Sequence, residues 1–214
     1  MNNKIFKIAL GLTFTLAAFG AKAQKNYTEG VITYSTTTAA GSADSKILFR
    51  GDSSAQVIVS GPATIKLITT AKHTYFAVLV DVPVANNLKK AAVLTPDEID
   101  QASEDIPKFT FTPSADTKQI AGYNCKKFTA KDAKSGTDVE VWVTNDISAP
   151  TNTISSPFAS TGGFPVQITT NQGGQKSDAT LKSIVEQKMP VGSFGVPAGY
   201  DRITYDELKA MRGR

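Results

Sequence analysis

The sequence predicts a mainly β fold of antiparallel strands with two short helices. Three observations predict it. The chain after residue 23 is rich in Thr, Val, Ile, Ser and Gly. Short runs that alternate apolar and polar residues dominate it. Turn signals recur about every 8–12 residues, the spacing of a meander in a sandwich or barrel.

The strands follow in order. Val31-Ile32-Thr33-Tyr34-Ser35-Thr36 is the first. Lys46 to Arg50 is the second and ends at the turn signal Gly51-Asp52. Gln56 to Ser60 precedes Gly61-Pro62, and Thr64 to Thr69 follows it. Ala71-Lys72 then turns the chain into Thr74 to Val80. In the middle, Tyr123 to Thr129 and Asp138 to Thr144 form a hairpin around the turn Asp132 to Gly136. Val139, Val141 and Val143 share one face of its second strand, and Glu140 and Trp142 the other. Residues 147–175 are poor in charge and contain one apolar cluster, Phe164 to Ile168, reading as a long loop followed by a strand. A last long strand spans about Ala179 to Gln187.

The helices are predicted from their starts. Thr95-Pro96-Asp97-Glu98 is a capping box with Pro at the first helical position, opening a helix from Pro96 to about Ser103. Thr204-Tyr205-Asp206-Glu207 repeats the pattern near the C-terminus. Leu208 and Met211 lie three apart there and are expected to bury together.

The first 23 residues have the layout of a cleaved secretory signal peptide. Lys4 and Lys7 precede an uncharged, mostly apolar run from Ile8 to Phe19, and Ala21-Lys22-Ala23 is a small-x-small site. That run is short of the roughly 20 apolar residues a membrane span needs. No cysteine stands at the cleavage site to take a lipid anchor. The expected organisation is a signal peptide over 1–23 and a single β-rich domain over 24–214, periplasmic or secreted, with no transmembrane span after cleavage. Cleavage removes three lysines and no acid, so the formal charge falls from +4 to +1. A near-neutral chain has no electrostatic case for nucleic acid.

Catalytic chemistry has little material here. A nucleophilic triad would need His73, the one histidine, which sits between Lys72 and Thr74 in a turn and reads as exposed. One His and one Cys do not fill a zinc shell. Asp132 to Asp138 has Ala133 and Lys134 where a calcium loop needs oxygen ligands. Glu140 beside Trp142 is the one acid in an unusually apolar setting, and a solvent-facing strand glutamate is the simpler reading. Cys125, without a second cysteine, reads as a small buried strand residue. The sequence therefore assigns no catalytic residue, no metal and no cofactor.

Several segments together carry a resemblance. They are Tyr27-Thr28-Glu29-Gly30-Val31-Ile32-Thr33-Tyr34 and Ile120-Ala121-Gly122-Tyr123-Asn124-Cys125-Lys126-Lys127, then Glu140 to Ile147, then Gly163-Phe164-Pro165-Val166-Gln167-Ile168. The chain resembles the GLPGLI and DUF4412-type secreted proteins of Bacteroidota, relatives of the periplasmic lipoprotein carriers. Val166 and Gln167 depart from the naming motif. The resemblance implies a strongly curved antiparallel sheet, an unclosed barrel with helices at its mouth. It transfers no catalytic residues. Gly122 and Gly163 suit backbone that side chains forbid, and Pro165 suits a strand start or edge.

The expected function is non-enzymatic: a periplasmic or envelope binding protein. It would hold an apolar or amphiphilic ligand, such as a lipid, an acyl chain or a lipoprotein, on a concave sheet face. The expected lining residues are the bulky apolar strand residues Tyr34, Phe49, Tyr75, Leu79, Phe128 and Trp142. The alternative is an interaction or structural protein that docks an envelope partner through sheet edges or the 147–175 loop. A hydrolase with a carboxylate site is the remote third reading. The address is testable by itself. Intact mass of the protein from its own envelope fraction is expected to begin at Gln24, and retention of residues 1–23 would overturn the cleavage.

Overall fold

The computed structural model describes residues 24–212 except 40, 105 and 173; the predicted signal peptide lies outside the described residues. The strands are β1 (Lys25–Asn26), β2 (Glu29–Thr38), β3 (Gly41–Arg50), β4 (Ser53–Ser60), β5 (Ala63–Thr70), β6 (Phe76–Val82) and β7 (Leu88–Val93). Helix α1 (Pro96–Glu104) follows. Then come β8 (Phe109–Ile120), β9 (Tyr123–Asp132), β10 (Asp138–Thr144), β11 (Ile147–Ser148) and a 3-10 helix, Ser156–Thr161. The chain ends with β12 (Phe164–Gln172), β13 (Gln175–Glu186), β14 (Asp201–Arg202) and helix α2 (Tyr205–Arg212).

One large sheet has the order β14-β7-β6-β5-β4-β3-β2-β13-β12-β10-β9-β8. Its ends, β14 and β8, do not pair with each other, so the sheet is not closed into a barrel. The long ladders are antiparallel, as expected. The two-residue pairings β14 with β7 and β1 with β11 are parallel, which makes the architecture mixed.

The sheet curls around its own loop. Phe158 of the 3-10 helix stacks on Phe109 of β8 with ring centroids 5.3 Å apart. Its neighbour Pro157 lines a cavity together with Phe76 and Val78 of β6. In a flat sheet the nine strand steps between β6 and β8 would span roughly 40 Å. One helical turn reaches both, so the face it touches is concave. Register shifts between Trp142 and Val143, between Leu181 and Ser183, and between Pro113 and Thr117 add the bends that bulges bring.

Both faces of the sheet are apolar and both are covered. Helices α1 and α2 cover the inner face, where Ile99 and Leu208 pack with Val78, Ala92 and Leu94. The segment between β13 and β14 crosses the outer face, where Phe194, Val196 and Tyr200 pack on Ala55, Ile68, Ala77 and Leu79. The C-terminal part of the chain thus wraps the β7 edge: a strap outside, β14 along the edge, α2 inside.

The local signals act as predicted. Thr95 N–H donates to Glu98 Oε2 at 2.7 Å, and Thr204 N–H to Glu207 Oε2 at 2.8 Å, closing two capping boxes. Ala121 and Gly122 both have positive φ, 51° and 83°, in the two-residue turn between β8 and β9. That turn type needs left-handed backbone, which Gly122 supplies at no steric cost. A Cβ on Gly163 would stand 2.9 Å from Val143 Cγ2, so this glycine permits a close strand approach. Pro165 is the second residue of β12, at the bulge, in an interior strand. The irregular ladder there spares it the bond its ring cannot donate.

Besides the two-residue strands β1, β11 and β14, two longer strands lacked a sequence signal. β7 is Leu-Lys-Lys-Ala-Ala-Val, with little β-branched content, and is held by its partner β6. β8 carries Pro113 and a polar run, and as an edge strand it pairs only with β9 within the sheet. The expected joint burial of Leu208 and Met211 is corrected. Leu208 is buried, but Met211 is 40% exposed, because the eight-residue helix turns only a narrow stripe to the sheet. Leu208→Ala is therefore expected to cost about 2–4 kcal/mol and Met211→Ala close to nothing. Urea unfolding of the two variants checks the contrast.

Candidate ligand cavity on the inner face

The inner face does not fill completely. A cavity of about 400 Å³ remains between β5, β6, helix α1 and the segment around the 3-10 helix. The apolar part of its wall includes Leu67, Phe76, Val78, Ile99, Ala102 and Tyr205. Its polar part comprises Thr69, His73, Ser103, Thr153 and Ser156. Among the described residues no Asp, Glu, Lys or Arg lines it. The volume falls in the range of about 300–1,000 Å³ that holds small ligands.

Each wall has a local cause. Register places Leu67 opposite Val78, and Thr69 opposite Phe76, on one face of adjacent strands. Helix α1 turns Ile99 inward, its capping box fixing where the helix begins. The fourth side depends on Asn152, a buried polar residue in the loop after β11. Its Oδ1 accepts from Ile154 N–H at 3.0 Å and Ser155 N–H at 3.1 Å, while its own N–H donates to Ser155 Oγ. Asn152 C=O accepts from Ser156 N–H at 2.8 Å. This knot turns the chain into the 3-10 helix and presents Thr153 and Ser156 to the cavity. Thr153 Oγ1 then donates to Gln56 Oε1 at 2.8 Å, tying the loop to β4.

One polar atom is left over behind the wall. Ser54 pairs in register with Thr69, on the inner face. It is 1% exposed, and among the described residues its hydroxyl has no hydrogen-bond partner. A buried unsatisfied hydroxyl costs about 1–3 kcal/mol, so its retention beside the cavity is notable.

Of the six residues predicted to line a concave site, Tyr34, Phe49 and Trp142 meet in one buried core cluster, and the other three lie elsewhere. Following the register, Tyr34, Phe49 and Phe128 share the inner face with Phe76 and Val78. Leu79, opposite Ala91 and packed with Tyr75, belongs to the outer face. Trp142, opposite Gln167 and Lys127, has the outer-face register next to a bulge, yet its ring belongs to the same buried cluster as Tyr34 and Phe49. None of the six lines the cavity. Tyr34 and Phe49 are fully buried, and Tyr34 O–H donates to the Pro165 carbonyl at 2.5 Å across the seam to β12. Burial pushes the Tyr34 phenol far above its ordinary pKa. Size and apolarity select a core residue as readily as a cavity residue, and alternation does not say which face is concave.

His73 is the converse case. It lies in the β5–β6 turn with a positive φ of 54°, as its turn position suggested. It is half-buried, however, and lines the cavity, because the turn folds toward α1. No motif around it signals this; only its position at the end of the β5–β6 hairpin could have.

Glu140 is engaged on the outer face. Its carboxylate accepts from Trp142 Nε1–H at 2.7 Å and pairs with Lys127 Nζ at 2.7 Å. The Lys127 ammonium, then the indole N–H, hold its pKa below the ordinary glutamate value. A general acid needs the opposite shift. Lys118 Nζ sits 4.0 Å from the Trp142 ring centroid, completing a charged cover over the indole. Among the described residues no three His, Cys, Asp or Glu side chains gather as a metal site, and no helix is long and apolar enough to cross a membrane.

The comparisons with known proteins bear on the fold. The family model "Domain of unknown function (DUF4412)" matches residues 28–155, more than half of the chain. The chain belongs to the DUF4412 family. No curated protein matches it. Among solved structures, PNGF-II in its P21 crystal form is similar with a TM-score of 0.54 and 17% identity, over 86% of this chain and 33% of that one. PNGF-II in space group C2 gives a TM-score of 0.47 at 17% identity, over 87% and 33%. LprF from Mycobacterium bovis gives 0.36 at 13% identity, over 80% and 90%. The chain thus spans about a third of PNGF-II. At these identities the first likeness concerns the fold alone.

Cys125 lies on β9, 1% exposed, with its thiol 3.5 Å from the Tyr123 carbonyl oxygen. Burial pushes the thiol up to about 11, so thiolate is scarce at neutral pH. Iodoacetamide is therefore expected to label the native protein slowly at pH 7 and faster as the pH rises toward 11. Labelling within seconds at pH 7, read by intact mass, would contradict the buried site.

Proposed function

We propose that this DUF4412 chain is a non-enzymatic binding protein of the cell envelope that holds an apolar or amphiphilic ligand in the inner-face cavity. The observation that carries the reading is the cavity itself: about 400 Å³, walled mainly by apolar side chains and, among the described residues, without Asp, Glu, Lys or Arg. A ligand there gains from leaving water and meets no charge that must be neutralised. The signal-peptide layout of residues 1–23 supports a periplasmic or secreted address. The motifs shared with GLPGLI-type proteins support a kinship with the lipoprotein carriers, which makes a lipid, an acyl chain or a lipoprotein the natural ligand class.

The docking-protein alternative has less support. The 147–175 segment it would use is committed to the fold. Ile147, Asn152, Phe158 and Phe164 are buried, and Phe164–Gln172 is an interior strand. The β8 edge carries Pro113 and a bulge, features that discourage strand addition. The hydrolase reading has only Glu140 to stand on, and its environment disfavours the proton donor it would need.

Protein purified from its own envelope is expected to carry bound lipid in native mass spectra, recoverable by organic extraction. Ala102 lines the cavity from α1, half-buried. Ala102→Trp is expected to fill the space and abolish that co-purified mass while the melting temperature holds. Undiminished ligand in the variant would place binding elsewhere.

A further inference from the structure

We infer that the cavity binds its ligand by an oxygen-acceptor head, so that the ligand class is an acyl chain oriented with its carbonyl or carboxylate toward the β5–β6 turn. This rests on the binding reading above and adds an orientation and a head-group chemistry to it.

The cavity is chemically lopsided. Along β5, Leu67 lies deeper under the helices and Thr69 nearer the turn, and along β6 Val78 and Phe76 follow the same direction. The turn end also holds His73, and the loop side holds Thr153 and Ser156. Ile99 and Tyr205 contribute apolar wall from the two helices. An amphiphile then lies with its tail along Leu67 and Val78 and its head toward His73.

The donor inventory then selects the head. Several hydroxyl groups are already spent within the protein. Thr69 donates to the Thr70 carbonyl, Ser103 to the Ile99 carbonyl and Thr153 to Gln56 Oε1. Among the described residues the His73 ring and the Ser156 hydroxyl have no hydrogen-bond partner, and the buried Ser54 hydroxyl behind Thr69 has none either. A histidine ring in either protonation state and a serine hydroxyl both supply an N–H or O–H. These groups can also accept, so the donors admit an acceptor on the ligand, and the charge of the wall must decide against a cation. With no acidic side chain on the wall among the described residues, a cationic head would enter without a counter-charge from them. A carboxylate or an ester carbonyl satisfies the donors; an alkylammonium does not.

Three probes with the same tail separate the cases: decanoate, methyl decanoate and decyltrimethylammonium, below their micellar concentrations, against the delipidated mature protein by calorimetry. Decanoate is expected to bind at least 10-fold tighter than the cation. Equal binding of the methyl ester points to an esterified acyl chain, and preference for decanoate to a free fatty acid. In the double variant His73→Gly and Ser156→Ala the preference over the cation is expected to vanish. Glycine suits the positive φ at position 73, so the turn is kept. Circular dichroism and an unchanged melting temperature confirm that the variant is folded. Equal affinity for all three probes in the unmodified protein, or an unchanged preference in the folded variant, overturns the head site and leaves the apolar cavity standing. Absence of binding by every probe overturns the cavity reading as well.

Discussion

An open sheet with two apolar faces must cover both, and that constraint organises this molecule. A closed barrel would hide one face by closure, and here β14 and β8 never meet. The outer face near β4–β7 is covered by the strap that carries Phe194, Val196 and Tyr200. The inner face is covered by two helices and by the loop after β11. Burying a side chain such as Phe158 or Leu208 contributes about 1.5–3 kcal/mol, so each cover is held by a few large residues. The covers are short compared with the sheet. Where the helices stop and the loop begins, an unfilled volume remains.

Asn152 shows how a polar residue can set the shape of an apolar site. Its side chain and backbone make bonds to Ile154, Ser155 and Ser156 within one turn. Each is worth only about 0.5–1.5 kcal/mol net. Together they fix the entry of the 3-10 helix, which puts Phe158 onto Phe109 and Phe111 on one side and Pro157 on the cavity on the other. The polar knot positions and the aromatic cluster anchors. The cavity wall is a by-product of both.

The outer face has its own polar arrangement around Trp142. Lys118, Lys127 and Glu140 surround the indole, and Lys118 reaches Gln167 Oε1 at 3.1 Å. These groups cap an indole that is 6% exposed and packed in the core cluster with Cys125 and Phe164. A tryptophan among strand residues looked like a binding residue by its type alone. Its surroundings make it a covered packing residue.

Local chemistry is legible in the chain without the fold. Helix starts at Thr95 and Thr204, the tight turn at Gly122, the close approach at Gly163 and the burial of Cys125 follow from side-chain size and hydrogen-bonding capacity within a few residues. Alternation located most strands, and failed for β7 and β8, whose pairing supplies what their residues lack. The side of the sheet each residue faces is relative, and only tertiary structure decided it. Alternation separates odd from even positions in a strand, but strand order, bulges and curvature determine which set is enclosed. Tyr34 and Leu79 look alike in sequence and lie on opposite faces, whereas His73, Ala102 and Ser156, far apart and unremarkable, share one cavity. A cavity is a gap between covers that pack elsewhere, and nothing in a linear chain marks where two covers fail to meet.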